Sequence, residues 1–546
     1  MPEQAHPPVD AVIVGAGFAG LYALYKLREL GMTAHAFEAG QDVGGVWYWN
    51  RYPGARCDVE SMQYSYSFSE ALQQEWTWSE RFASQPEILR YLNHVAYRFD
   101  LRRDISFGAR VTAAHFDEAS ALWTVETDQG DHITARFCIM ASGMLSAARA
   151  PDLPGIDTFA GPCHHTGSWP HEAVDFRGKQ VGIIGTGSSG IQAVPVVAEQ
   201  AAHLFVFQRT PNFVIPARNS PLGAEAERFW KDDYAAHRAR ARQVGTFYEF
   251  SNTSARDASP DARAAEYARR WQQGGVNFVH AYNDIYLDQQ SNETAADFVR
   301  ERIRDAVPDP AVAEKLSPRD HPLGTKRICV GSEYYETFNR GNVTLVDLRA
   351  EPIEAITPGG VRTSAREYGL DMLLLATGYD AMTGALTRID ITGRHGLALR
   401  DKWADGPRNY LGLMTAGFPN LFIVTGPGSP SVLVNMVIGI EQHIDWIAAC
   451  LHHMEQTGTA TIEPEEAAED AWVDHVNAEA NLTLFPQANS WYLGANVPGK
   501  KRVFMPYVGG IGRYRVRCDE VAARGYEGFT LTRSPALAST SRSVVP

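Results

Sequence analysis

Two glycine clusters set the chemistry available to this chain. In VDAVIVGAGFAG the apolar run Ala11 to Val14 leads straight into Gly15, Gly17 and Gly20, the pattern of a buried strand, a tight turn and the first turn of a helix. Gly15 permits the turn, Gly17 lets a pyrophosphate reach the backbone, and Gly20 lets helix and strand pack closely. The free N–H groups and positive dipole end of the helix then face the phosphates. A glycine triplet alone is weak evidence, because many are ordinary turns. Here a helix-length segment, LYALYKLREL, stops near Gly31, and a second apolar strand, TAHAFEAG, ends on Glu38. A carboxylate at that point accepts hydrogen bonds from a ribose 2′-OH, so a dinucleotide with a free 2′-OH is expected, as in FAD or NAD.

The second cluster, KQVGIIGTGSSGIQ, supplies Gly185, Gly187 and Gly190, and its following strand, HLFVFQR, ends on Gln208 and Arg209. A cation stands where the first unit has a carboxylate. A 2′-phosphate is repelled by a carboxylate and held by Arg209, Thr210 and Lys326, so this unit reads as a site for NADP rather than NAD. The alternative is that Arg209 is an ordinary surface arginine. Pro195 falls inside the expected helix, where it should kink or shorten it.

The elements that position these groups follow from the rest of the chain. At 546 residues, with 45% hydrophobic and 21% charged residues, the length allows several domains in an ordinary globular balance. A net charge of −14 argues against a nucleic-acid partner. MPEQAHPPVD has no positive region followed by an apolar stretch, and no later run approaches a membrane span, so neither signal peptide nor membrane segment is expected and the chain reads as cytoplasmic. The six cysteines are scattered without a CxxC or CxxxxC spacing, which speaks against metal sites and against a disulfide reductase.

The fold class expected is α/β, with two Rossmann-like dinucleotide-binding domains, for FAD and for NADP, and an inserted helical subdomain. Residues 1–145 form the first part of the FAD domain and 146–215 the first part of the NADP domain. Residues 216–324, rich in Ala, Arg, Glu and Asp, form the helical insert, with Asn292 as an N-cap and Asp309-Pro310 opening a further helix. Residues 325–380 complete the NADP domain through NVTLVDL and DMLLLATGYD. Residues 381–546 complete the FAD domain and carry the loops of a substrate pocket, chiefly Pro430 to Met436 and the surroundings of Trp491.

Between the two glycine units lies FAGPCHHTGSWP. Its pattern FxGxxxHxxxWP, filled by Phe159, Gly161, His165, Trp169 and Pro170, resembles that of the type I Baeyer–Villiger monooxygenases. The resemblance extends through GGVWYWNRYPGARCDVES, GTKRICVGSEYYETFNRGNV, LLLATGYDA and SWYLGANVPGKKRVFMPYVGG, and is nearest to the phenylacetone and steroid-ketone branch. It implies an enzyme that uses FAD, NADPH and O₂ to convert a cyclic, aromatic or steroid-like ketone into an ester or lactone by way of a flavin C4a-peroxide. The expected FAD contacts are Gly15, Gly17, Phe18, Gly20, Glu38, Gly45, Val46, Trp47, Asp58, Tyr64, Val111 and Met436. Those expected for NADP are Arg56, Thr186, Gly187, Ser188, Ser189, Gly190, Gln192, Arg209, Thr210, Lys326 and Trp491. The resemblance makes Arg327 the catalytic arginine and Asp58 the carboxylate that orients it.

The chemistry explains the arginine: a guanidinium cannot lose its proton at working pH, so it stabilises both a deprotonated oxidant and the oxyanion of the adduct. Arg327 could instead be one partner of an ordinary salt bridge, and the Trp47-Tyr48-Trp49 cluster could be core. His165 reads either as a satisfied structural histidine or as part of a hinge between domains. Two rival functions are an N- or S-oxidising flavin monooxygenase, disfavoured by the Trp169-Pro170 ending and Arg327, and a non-catalytic dinucleotide sensor, disfavoured by the intact set of motifs. Partners are confined to the ketone and O₂, with no metal, and the oligomeric state is left open.

Overall fold

The computed structural model describes residues 4–533 and contains two large separate sheets, the first mixed and the second parallel. Residues 1–3 and 534–546 of the expected FAD portions lie outside the described residues. In the first sheet Val9–Val14 pairs in parallel with Ala34–Glu38 and with Asp131–Met140, and Ala34–Glu38 pairs with Ile105–Phe107. The long Asp131–Met140 strand serves two neighbours on its other side. Its first half takes the antiparallel Leu122–Thr127, and its last three residues take Leu421–Ile423 from far along the chain. The second sheet is wholly parallel, in the order Val343–Asp347, His203–Gln208, Gln180–Ile184, Met372–Leu375, Cys163–His165. Its central strands are apolar on both faces, as a parallel sheet covered by helices requires.

Each sheet carries one glycine turn and one helix of similar length, Phe18–Glu29 and Ser188–Gln200. Of the two effects expected of Pro195, a kink or a shortening of the second helix, the shortening does not occur. The helix continues through it, because Val194, Val197 and Ala198 are locked into the core of that domain and outweigh one lost backbone hydrogen bond.

The helical segment between the sheets enters and leaves at one place. Val214–Pro216, just before it, pairs in parallel with Cys329–Gly331, just after it, so a narrow two-stranded neck carries the whole insert. Within it, Asp309 accepts from the N–H groups of Ala311 and Val312 ahead of Pro310–Leu316, as the Asp-Pro pair indicates. Asn292 is not an N-cap. The helix Gln289–Ala306 is capped by Asp288, which accepts from Ser291 N, and this leaves Asn292 inside its first turn. There its fully buried amide donates to the carbonyls of Ile285 (2.8 Å) and Leu323 (2.9 Å) and accepts from Leu323 N (2.7 Å).

Asn292 thus ties the long helix to the segment that runs into Gly324 and Arg327. Replacing it by Ala leaves three buried backbone groups without partners, at a cost on the order of 2–4 kcal/mol. Asn292→Ala should lower the melting temperature of the holoenzyme by several degrees in a thermal-shift assay. An unchanged melting temperature would mean that the amide does not hold these two segments together.

Candidate active site

Both glycine turns form cradles that fit a dinucleotide. Gly15 and Gly185 adopt φ of +105° and +110°, and a Cβ on Gly20 or Gly190 would overlap the carbonyl oxygen of Gly15 or Gly185. Both helices are N-capped by glycine, Gly17 and Gly187, with no side chain bonded to the first-turn N–H groups. These donors remain for phosphate oxygens. Around Gly187 a Cβ would meet nothing within 4 Å, whereas at Gly17 it would come within 3.3 Å of Gly45 Cα. Gly45, with φ of +55°, opens the short helix Val46–Trp49 against the first cradle.

The two cradles differ at the strand end. Glu38 is buried and accepts from Ala16 N (2.8 Å) and Gly40 N (2.7 Å), while burial raises its pKa against those hydrogen bonds. Val111 opens its strand two residues beyond Ala109, whose N–H donates to the Glu38 carbonyl. Arg209, by contrast, is exposed and has no ion-pair partner among the described residues. Lys326 lies near it. Its ammonium is held below its ordinary pKa by burial and by repulsion from Arg209 and Arg349, with Asp320 opposing. Asp320 is itself engaged by Arg349 (2.5 Å) and His321 (2.7 Å). Thr210 completes the corner, its carbonyl accepting from Thr186 Oγ1 at 3.0 Å. Two neighbouring cations with no carboxylate of their own fit a phosphate dianion.

Between the cradles stands Arg327. Its Nε and Nη2 donate to the two carboxylate oxygens of Asp58 at 2.9 and 2.8 Å, and Nη1 donates to the Val432 carbonyl at 2.9 Å. Burial works against the charge. The Asp58 carboxylate and the Tyr492 phenol more than offset it and hold the guanidinium above its ordinary pKa. Of five N–H donors three are spent, and the remaining two are left for Tyr492 and a ligand. The loop that leads to Asp58 is held by the second cradle's helix. Gln192, on the second cradle's helix, accepts from Tyr52 Oη (2.8 Å) and Arg56 N (3.3 Å) and donates to the Arg56 carbonyl (3.1 Å). A Cβ on Gly54 would overlap the Gln192 carbonyl.

Beside Arg327 lies an apolar cluster built from Met144, Met382, Val432, Phe485, Tyr492, Leu493 and Phe504, with Leu433, Met436 and Trp491 at its edge. Met436 opens the helix Met436–Thr457, which packs against Phe18–Glu29. Trp47 Nε1 donates to Tyr64 Oη at 3.2 Å, and burial raises the Tyr64 pKa, with Cys57, Trp47, Asp58 and Arg327 around it. Ser188 Oγ and Cys329 Sγ are 3.6 Å apart, which joins the second helix start to the neck strand. Ser189 stands beside Tyr52.

Two residues expected at NADP have other partners in the fold. Gln192 holds the Tyr52–Arg56 loop, and the Arg56 guanidinium pairs with Glu80 (2.9 Å) and the Phe82 carbonyl (3.1 Å). The FAGPCHHTGSWP motif is built into the second sheet. Cys163–His165 is an edge strand of the second sheet, since its backbone completes the pairing of Met372–Leu375. Phe159 packs into that sheet's outer cluster, and a Cβ on Gly161 would overlap the Asp371 carbonyl. His165 is held below its ordinary pKa by burial. Its Nδ1 accepts from Gly167 N (2.9 Å), and its Nε2 meets Thr377 Oγ1 at 3.2 Å. Trp169 is buried just before Pro170, and its N–H donates to the Trp49 carbonyl at 3.2 Å. The motif therefore belongs to one sheet and touches the other half through Trp169. Sequence reasoning missed Tyr492, although the WY pair carries it, and the Val432 carbonyl, which no side-chain pattern signals. Among the described residues no helix is long and apolar enough to cross a membrane, and no group of three His, Cys, Asp or Glu residues could hold a metal ion.

The family profile of the pyridine nucleotide-disulphide oxidoreductases matches residues 12–218. A Baeyer–Villiger monooxygenase of Pseudooceanicola batsensis is 44% identical over 531 residues, covering 96% of each chain. A solved oxidised steroid monooxygenase bound to NADP superposes with a TM-score of 0.93 at 53% identity, over 97% of this chain and all of that one. OTEMO in complex with FAD and NADP gives a TM-score of 0.93 at 43% identity, over 96% of this chain and all of its own.

The exposed, unpaired Arg209 at the strand end leads to a cofactor test. Arg209→Ala should raise the Michaelis constant for NADPH by roughly one to two decades, the worth of a charge-assisted hydrogen bond, and leave that for NADH nearly unchanged. Constants that rise together, or do not move, would place the 2′-phosphate elsewhere.

Proposed function

The chain belongs to the type I Baeyer–Villiger monooxygenases, and from that premise we propose that oxygen insertion is centred on Arg327, held by Asp58. The enzyme depends on FAD and NADPH and acts on ketones. In this reading residues 1–145 and 381–546 hold FAD, 146–215 and 325–380 hold NADP, and 216–324 cap the site. FAD is assigned to the cradle of Gly15, Gly17, Phe18 and Gly20, with Glu38 at the ribose and Gly45, Val46, Trp47, Asp58, Tyr64, Val111 and Met436 along the remainder. NADP is assigned to Thr186 through Gly190, with Arg209, Thr210 and Lys326 at the 2′-phosphate and Trp491 over the opening. Gln192 and Arg56 are assigned to it through the loop they fix. The ketone and O₂ are the only partners proposed. Six free cysteines fit a reducing compartment, and a cytoplasmic enzyme is proposed.

The observation that carries the reading is the forked Arg327–Asp58 pair with donors to spare, set between two nucleotide cradles and beside an apolar cluster. Bound FAD, once reduced by NADPH, supplies the reducing equivalents and the point at which O₂ is activated. The residues do the rest. Arg327 donates to the ketone oxygen and stabilises the negative charge that grows there as the carbonyl is attacked. Asp58 keeps the guanidinium plane fixed, so no reorganisation is needed as charge develops. The apolar wall of Val432, Phe485, Tyr492 and Phe504 keeps water away from that charge. Its aromatic surface, with the 53% identity to a steroid monooxygenase, supports a cyclic, aromatic or steroid-like ketone as substrate. His165 is assigned a conformational role, since both ring nitrogens are used within the fold.

The test separates the two half-reactions. Arg327→Ala should lower ester formation from a ketone panel by at least ~10²–10³, while NADPH still reduces the flavin in anaerobic stopped-flow and air then releases hydrogen peroxide. Arg327→Lys should retain only weak activity, because an ammonium lacks the planar donor fork. Asp58→Ala should follow Arg327→Ala less severely, because the charge stays and only its orientation is lost. Ester formed by Arg327→Ala at near wild-type rate would move the oxyanion site to another group.

A further inference from the structure

The helical insert contributes one side chain to the cluster beside Arg327, and that is Tyr286. Tyr286 lies between the Gly275–His280 turn of 3-10 helix and the Gln289–Ala306 helix, where it packs against the insert's own core and also reaches distant segments. Its carbonyl accepts from Leu484 N at 2.8 Å. Its ring stacks on Phe485, with centroids 5.1 Å apart and planes inclined by 19°. Phe485 in turn meets Tyr492 and Phe504 at 5.8 and 5.4 Å.

The hydroxyl end is placed by a glycine. A Cβ on Gly324, whose φ is +81°, would stand 2.6 Å from Tyr286 Cε1 and 2.8 Å from its oxygen, so any side chain there would push the phenol away. Gly324 heads the turn that carries Lys326 and Arg327, and the phenol is close enough to Arg327 and Tyr492 to interact electrostatically with both. The ring is only partly buried, and the hydroxyl has no hydrogen-bond partner among the described residues. A residue that merely filled core would be served as well by Phe. Here a polar group has been carried from the insert to the arginine and left without a partner.

We propose that Tyr286 is a specificity-determining residue of the ketone site, its ring forming the insert-side wall and its hydroxyl facing the substrate beside Arg327. The inference rests on the assignment of oxygen insertion to Arg327. With Phe485 behind it, the ring offers an offset-stacking surface to a ketone that bears an aryl group, and a flexible alkyl ketone gains less from it.

The experiment compares holoenzymes with phenylacetone and 2-octanone, scoring ester by gas chromatography and obtaining kcat and KM for each, with FAD content and melting temperature recorded alongside. Tyr286→Leu, which keeps apolar contact with Phe485 and removes the ring, should reduce the preference for phenylacetone about fivefold, a stacking-sized effect, and through KM more than kcat. Tyr286→Phe should keep the preference, which the ring supplies, while raising KM for both ketones, because the hydroxyl that faces the substrate is lost. A folded, flavin-loaded Tyr286→Leu with the wild-type preference, or a Tyr286→Phe that loses it, overturns the ring as its source. If Tyr286→Leu does not fold, Tyr286→Trp decides, because a larger ring in the same wall should disfavour phenylacetone against 2-butanone several-fold, and an unchanged ratio overturns the proposal. A wild type that makes ester while its preference ignores position 286 defeats this inference alone. A wild type that makes no ester from any ketone defeats the assigned function and this inference together.

Discussion

Arg327 and Asp58 are 269 positions apart in the chain and meet in a two-point fork at 2.9 and 2.8 Å. The rest of the structure can be understood as the means of holding that fork. Taking two opposite charges out of water is costly, and their attraction offsets the cost only when the geometry is good and the leftover donors and acceptors find partners. Arg327 therefore needs more than Asp58. The Val432 carbonyl takes a third donor and Tyr492 lies against the guanidinium. Three parts of the chain converge on one side chain: the loop after the first cradle, the exit of the insert, and the loop before the Met436–Thr457 helix. A flexible lysine in this position would gain charge attraction without fixing direction, and direction is what a carbonyl oxygen requires.

The same economy of means appears in the cradles. Both use a glycine with positive φ, a second glycine too crowded for a Cβ, and a helix start with no capping side chain. What differs is the last residue of the next strand. Glu38 is buried and anchored by two backbone N–H groups, so its carboxylate oxygens are fixed acceptors. Arg209 is exposed, and its neighbour Lys326 is held below its ordinary pKa by burial, with Arg209 adding to the effect. A chain with net charge −14 repels anions at long range, but screening confines that field to about 8–10 Å at ordinary ionic strength. A local pair of cations is enough to reverse its sign at this strand end.

This division also explains what the sequence made legible. The cradles and their strand ends could be read directly, because each depends on residues within about 25 positions of one another and on steric rules that only glycine satisfies. The Arg327–Asp58 pair could be named only through a family resemblance, since nothing local in GTKRICVG or RYPGARCDVES points to the other segment. The failures share one cause. Asn292 has the residue type of a cap, but its amide is claimed by Leu323 across the insert. Pro195 has the type of a helix breaker, but the core holds its helix. In each case tertiary packing overrode a sound local preference.

The insert shows how far such packing reaches. Its first part packs against the half that holds the first sheet. Arg238 is buried there and donates to the carbonyls of Met62 and Gln63 and to Ser65 Oγ, and the Gly245 carbonyl accepts from Asn435 N. Its later part belongs to the other half, where Tyr267, Phe278, Ala295 and Val299 share a core with Ile191 and Val206. One segment thus spans both halves, and it returns to the chain through the neck strand Cys329–Gly331 beside Val214–Pro216. Arg327 sits two residues before that strand, where the constraints from the two halves meet. The fork to Asp58 ties the arginine to the loop after the first cradle, and Gln192 ties that same loop, at Tyr52 and Arg56, to the second cradle's helix.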